Sequence, residues 1–293
     1  MLLALSAIWG ASFMFIKIAV RELEPTTLVC IRLAIGALTL LPLALVRLGG
    51  RETVRQLRAA AGPLVVTGLV NSAVPITSLS WAETRIDSGL TAVIQASAPL
   101  FTALLALRFS HSERVTGGRL VGLLVGFGGV ALLVGAQPSG DLVAACAVVF
   151  SAFCYATAAL YAARRLVHVS PIVSAVGALT AASLSLVPFA AFQLPSGFPS
   201  LGISAAVLAL SIGGTGIAYV LYYALLAGAG ASRSILVTYL VPALALGYGA
   251  VFLAEPITTP AVAGLALVLA GVALGTGAVR LSRRRDAGLA CGG

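Results

Sequence analysis

Charge is what this chain has least of. Only 9% of its 293 residues are Asp, Glu, Lys or Arg, and nine are acidic, where soluble domains carry roughly a quarter charged residues. A chain so poor in charge is not built to cover itself against water. Histidine is nearly missing too: His111 and His168 have no neighbours at ligand spacing, so no metal site is expected. Cys30, Cys146, Cys154 and Cys291 form no CxxC pair, which speaks against a redox site or a disulfide framework. There is no P-loop, so no ATP, and nothing implies a cofactor. No paired acid and base and no activated nucleophile is present. That counts against an intramembrane lipid-modifying enzyme and leaves a non-enzyme as the reading.

What the chain has in excess is apolar surface, with 60% hydrophobic residues and a mean hydropathy of +1.08. The sequence therefore reads as an integral membrane protein whose first partner is the lipid bilayer. Apolar stretches lie near 2–20, 26–46, 60–81, 88–107, 118–136, 141–161, 170–191, 202–227, 232–253 and 260–279. Each approaches the about 20 residues that a helix needs to cross the hydrocarbon core. They are continuous and rich in Leu, Ala and Val, unlike the alternating segments of about ten residues in a β-barrel. The first lacks a basic leader and is kept as a span.

The net charge of +9 is informative through its placement. With the N-terminus inside, the inner loops and tail collect most of the arginines, among them Arg47, Arg51, Arg55, Arg58, Arg108, Arg114, Arg119, Arg233 and Arg280. Lys17, Arg21 and Arg85 fall at outer ends, and Glu22, Glu24, Glu83, Asp87, Asp141 and Glu255 lie there as well. This bias predicts both termini in the cytoplasm of a cell with the protein in its plasma (inner) membrane. Contact with anionic lipid accounts for the basic loops, so no nucleic-acid role is expected.

Pro25 and Pro42 recur 146 residues later as Pro171 and Pro188, Pro99 recurs as Pro242, and Glu113 with Gly122 and Gly129 recurs as Glu255, Gly264 and Gly271. Residues 1–137 and 141–279 thus read as two copies of one five-helix unit, followed by a basic and then Gly-rich cytoplasmic tail, 280–293. An odd number of crossings inverts the second copy relative to the first, the layout by which transporters place one site between two alternative openings. The fold expected is all-α and integral to the membrane, with ten transmembrane helices as two inverted five-helix repeats around a central cavity.

The stretch WGASFMFIKIAV with Arg32 of CIRLAIGAL, then SAPLFTALLAL and Glu113, and their second-copy forms LVPALALGYGAVFLAEPIT and AGLALVLAGVALG, resemble the EamA-type domain of the drug/metabolite transporter superfamily. The resemblance covers about 275 residues. It implies a transporter with a cavity between the repeats, in a family whose members often export amino acids and other small metabolites. Lys17 and Arg32 align with Ala163 and Ala178, so any cationic site comes from the first copy only.

Polar groups within spans are the candidates for substrate contact, because lipid disfavours them. Trp9, Phe13 and Lys17 share one helix face, and Lys17 and Arg32 could attract a carboxylate. The alternative has Lys17 reaching the outer headgroups and Arg32 pairing with Glu83 or Glu24. Asn71, Gln95, Tyr155, Tyr219 and Tyr239 complete the expected binding set, and Pro75, Pro99 and Pro242 are the expected kinks. The function expected is export of a small polar metabolite by alternating access. The competing reading is a lipid or polyprenyl-phosphate flippase, with Lys17 and Arg32 as phosphate ligands. Gly122, Gly126, Gly128, Gly129, Gly264 and Gly271 suit either internal packing or a homodimer seam.

Overall fold

The computed structural model describes residues 1–109, 117–135, 141–195, 197–229 and 236–275. The expectations for His111, Glu113, Arg114, Arg233, Cys291 and the tail 280–293 lie outside the described residues, as do the side chains of Arg108 and Arg119. Every regular element among the described residues is a helix. Eight helices among these residues are long and apolar enough to cross a membrane. Two further apolar helices are shorter, Leu120–Gly135 and Thr259–Gly275. Each of the ten expected stretches carries helix among its described residues, and two of these helices are shorter than the others.

In chain order, α1 is Leu2–Ala19, α2 Pro25–Leu48 and α3 Gly50–Ala59. Then come α4, Ala61–Glu83, and a broken pair, α5 at Ser88–Gln95 and α6 at Ala98–Phe109. The rest are α7 Gly117–Gly135, α8 Leu142–Arg165, α9 Pro171–Ala191, α10 Leu201–Ala229, α11 Leu236–Leu253 and α12 Thr259–Gly275. The repeated prolines do the same work in each half. Pro25 and Pro171 open α2 and α9 at the position where a missing N–H is harmless, and Pro42 and Pro188 lie inside those helices. Sequence reading left 50–59 as a basic loop, whereas it folds as α3. Thr53 and Leu57 face inward there, and Arg51, Arg55 and Arg58 face out.

Two helices depart from α geometry in their middles. A π segment spans Leu69–Ala73 in α4, and another spans Ala209–Ile217 in α10. The first lies one turn before Pro75, which has no N–H to give to residue 71. In the second, Gly214 approaches Ser12 of α1, and a side chain on Gly216 would meet Thr39 of α2. The glycines of that stretch thus serve close packing and the irregular backbone together.

The most extensive helix pairs are α7 with α12, α2 with α9 and α4 with α8, followed by α1 with α11. The α7–α12 seam is made of glycine on both sides. A methyl on Gly271 would stand 2.5 Å from the Gly126 nitrogen and 2.7 Å from the Gly122 oxygen, and one on Gly129 would stand 3.1 Å from the Gly264 oxygen. In lipid such seams draw on close backbone approach, since burial from water is not the driving force between helices. These glycines are occupied in internal packing. Gly128, with open space around it, is not part of the seam.

Candidate functional site

A cavity of about 640 Å³ lies between the helices. Trp9 and Phe13 of α1, Asn71 of α4, Gln95 of α5, Pro99 and Thr102 of α6, Tyr155 of α8, Tyr222 of α10, and Thr238 and Pro242 of α11 line it. Small residues, including Ala92, Ala103, Ala106, Ala156 and Ala159, complete the wall. The lining reaches Ala106, Ala159, Thr238 and Gly275, which sit at the helix ends nearest the arginine-bearing loops. Among the described residues nothing on it comes from the helix ends that carry the acids, so the cavity they line extends towards one end of the bundle.

Local chemistry explains how the wall is aimed. Pro99 cannot donate back to the carbonyl of Gln95, and the helix breaks there. The chain is carried across by Ser97 N to Ile94 O at 3.0 Å and Leu100 N to Ser97 O at 2.9 Å. Gln95 is thereby the last residue of α5, and its side-chain oxygen is buried without a hydrogen-bond partner among the described residues. Trp9 packs on Tyr222 with ring centroids 5.6 Å apart, and this aromatic pair forms one wall. Pro242, the counterpart of Pro99, stays inside a continuous α11. Asn71 is held in the π segment of α4 and faces the Tyr219 hydroxyl.

Of the twelve residues expected at the site, the cavity brings together Trp9, Phe13, Asn71, Gln95, Tyr155, Pro99 and Pro242. It does not include Lys17, Arg32, Tyr219, Tyr239 or Pro75. Lys17 continues the Trp9 and Phe13 face but lies two turns further along, where its ammonium donates to the backbone oxygens of Glu83 at 2.7 Å and Ile86 at 2.8 Å. It caps the C-terminus of α4, where carbonyls lack partners and the helix dipole favours a cation. Arg32 donates from Nε to Thr215 Oγ1 at 3.1 Å and forms no ion pair with Glu83 or Glu24 among the described residues. Tyr219 packs against the cluster of α2 and α9, and Tyr239 against that of α5, α7 and α8, its hydroxyl buried without a partner among the described residues. Pro75 is buried in the packing of α4. The wall also carries Thr102, Tyr222 and Thr238, which were not among the residues expected at the site.

The acidic end is sealed by polar contacts between the two halves of the chain. Glu255 accepts from Ser88 N at 2.9 Å, Ser88 Oγ at 2.8 Å and Gly89 N at 3.1 Å, capping α5 from the α11–α12 connection. Ala254 turns the chain into that position with φ 56°, a left-handed conformation that costs an L-residue of order 1 kcal/mol. Arg85 meets Asp141 at 3.1 Å, and its guanidinium lies 4.6 Å over the Trp81 ring. Asp141 also caps α8 by accepting from Ala144 N, and these donors hold its carboxyl below the usual range. Glu22 accepts from Ser200 N at 2.8 Å and Ser200 Oγ at 2.7 Å, which lowers its carboxyl likewise. Thr26 and Thr27 bond to Gln193. Asp87 behaves oppositely: burial, with Glu255 beside it, pushes its carboxyl up.

A chain with a helical bundle of this hydropathy around an internal cavity matches a known sequence family. The profile of the EamA-like transporter family fits residues 1–135 and again 142–276. The chain belongs to the EamA-like transporter family. Several relatives match most of its length. An uncharacterized transporter of Archaeoglobus fulgidus is 30% identical over 269 residues, covering 90% of this chain and 93% of the relative. A probable terminal-alkyne amino-acid exporter of Streptantibioticus cattleyicolor is 30% identical, with 87% and 86% covered. An uncharacterized inner membrane transporter of Escherichia coli K12 is 28% identical, with 85% and 80% covered. A solved protein structure superposes with a TM-score of 0.66 at 23% identity, over 94% of both chains, and so shares the fold. This EamA-family chain is accordingly a multi-pass membrane transporter with a small-molecule substrate.

Proposed function

We propose that this EamA-family protein exports a small, polar, electrically neutral or zwitterionic metabolite, an amino acid or a close relative, across the plasma membrane. The observation that carries the reading is the cavity wall: aromatic rings of Trp9, Phe13, Tyr155 and Tyr222 beside the unpartnered oxygen of Gln95, with no Lys, Arg, Asp or Glu in the lining among the described residues. A buried acceptor with no protein donor favours a ligand that brings an N–H or O–H, while apolar rings favour a compact organic body. The amino-acid exporter among the relatives is consistent with that class. A phosphate-headgroup flippase would need cations on the wall, and Lys17 and Arg32 are engaged elsewhere.

The transport cycle follows from a ten-helix reading in which the second five spans repeat the first upside down. The helix contacts support it by pairing off in equivalent ways. With spans counted in order within each half, second meets second (α2 with α9), fourth meets fourth (α5 with α11) and fifth meets fifth (α7 with α12). First meets fourth as α1 with α11, and in exchange as α8 with α5 and α6. Third meets first as α4 with α8, and as α10 with α1. The π segments fall in the third span of each half. With the termini in the cytoplasm, the arginine end is internal, and the conformation is open inward and sealed outside. Rocking of the halves about the cavity exposes it alternately.

The test is counterflow of a labelled amino-acid panel in proteoliposomes. At least one amino acid should exchange, and Gln95→Ala and Trp9→Ala should each raise KM by roughly tenfold, the loss of one good contact. Full transport by both variants would remove the site, and no flux of any panel member would remove the substrate class.

A further inference from the structure

Glu83 is the buried charge that the cavity does not use. Its side chain is 0% exposed, and neither carboxylate oxygen has a hydrogen-bond partner among the described residues. Sequence reading placed it at the outer mouth because it ends α4, but position along a helix is not exposure. The charged groups facing it are Lys17 from α1, Arg32 from α2 and Glu255 from the α11–α12 connection. Asp87 follows on the same turn, beside Glu255 and Lys17. On α8, which packs against this half of α4, Tyr155 faces Arg32 and the cavity. Both cations are close, yet both donate elsewhere: Lys17 to the carbonyls of residues 83 and 86, Arg32 to Thr215.

We propose that Glu83 is a proton-binding site that gates the acidic end of the transporter. An ionised carboxylate sealed in protein needs a donor or a counter-ion in contact, and in the sealed conformation it has neither, so that conformation holds the neutral acid. Loss of the proton to water at the acidic end leaves a carboxylate next to the Lys17 ammonium. That ammonium is already bound to the carbonyl of the same residue and has only to swing to the side chain. In doing so it leaves the carbonyl of Ile86, uncapping the α4 turn that leads into the Ser88–Glu255 contact. Re-protonation returns Lys17 to the carbonyls and reseals the end. No group other than the proton is transferred, and the site becomes one negative charge richer when open.

This inference rests on the transporter reading for its purpose but not for its test, which uses no substrate. Ile86 is 2% exposed, so an Ile86→Cys thiol reports opening, in a chain whose Cys30, Cys146, Cys154 and Cys291 are replaced by Ala. Gly197→Cys, in an exposed position with nothing packed on it, corrects for the intrinsic pH dependence of thiol labelling. With a membrane-impermeant maleimide on proteoliposomes, the Ile86 to Gly197 rate ratio should rise about tenfold between about pH 6 and about pH 9. It should stay low at both values in Glu83→Gln, and high at both in Lys17→Met. A flat ratio in the parent, or a rise that survives either substitution, overturns the proposal. Amino-acid counterflow in the same vesicles judges the transport reading separately, since it can persist whether or not the ratio moves.

Discussion

Replacing Gly271 by alanine tests whether backbone approach holds the α7–α12 seam together. The added methyl would lie 2.5 Å from Gly126 N and 2.7 Å from Gly122 O. Both obstacles are backbone, so no rotamer can yield, and α12 has to retreat by about 1 Å to reach ordinary contact distance. A gap of that size forfeits a quarter to a half of the dispersion well of each facing atom, and the Cα–H to carbonyl contacts of the seam are lost with it. Together with the usual range for overpacking, the expected loss is about 2–3 kcal/mol. For a chain of this size that is a fall in Tm of roughly 3–5 °C. Gly128→Ala is the matched control on α7: its methyl meets nothing within 4 Å, so helix propensity should leave it neutral or stabilised by up to about 1 kcal/mol. Thermal unfolding in detergent, followed by tryptophan fluorescence, measures both. Equal melting of the two variants would mean that the seam is not held by backbone contact.

Other outcomes follow from the same geometry. Lys17→Met removes two charge-assisted bonds to the end of α4 and should destabilise by about 2–4 kcal/mol in the same melting assay, while KM in counterflow changes less than twofold; a large KM effect with intact stability would return Lys17 to the binding site. Arg32→Ala should behave alike, lowering Tm through the loss of the Thr215 contact and sparing KM. The carboxyls of Asp141 and Glu22 are held below their ordinary values by their donors. Their contribution is therefore present above the unfolded value and lost as pH falls through the lower folded one, so acid should depress Tm in the parent more steeply than in Asp141→Asn. Parallel pH profiles would show that the Arg85–Asp141 contact adds nothing to stability.

Much of this was legible in one sequence, and the places where it was not are instructive. Continuous apolar runs betray helices in lipid whatever their packing, and Trp9 with Phe13 could be put on one face because α1 is regular throughout. Asn71 and Pro75 on α4 could not be read that way. The π segment at Leu69–Ala73 offsets the wheel, so Asn71 lines the cavity while Pro75 is buried in packing. In α10 the segment before Ala218 does the same, leaving Tyr222 on the wall and Tyr219 behind it. Lys17 and Arg32 drew attention as intramembrane cations, and their partners are carbonyls and a hydroxyl, acceptors that every sequence offers and none advertises. Glu255 became visible as a cap only when its loop was folded over Ser88.

The two π segments carry a consequence for how such a chain tolerates change in length. A π turn accommodates one residue more than an α turn over nearly the same rise, so each segment behaves as an insertion absorbed inside a helix. Dropping one residue from Leu69–Ala73 would let α4 close into an ordinary helix without lengthening or shortening the loops at either end. The ends of the helix would keep their neighbours, and only the residues around Asn71 would rotate away from the cavity. At these two positions the chain can be edited by single residues to reshape what the cavity presents, with the scaffold around it left in register.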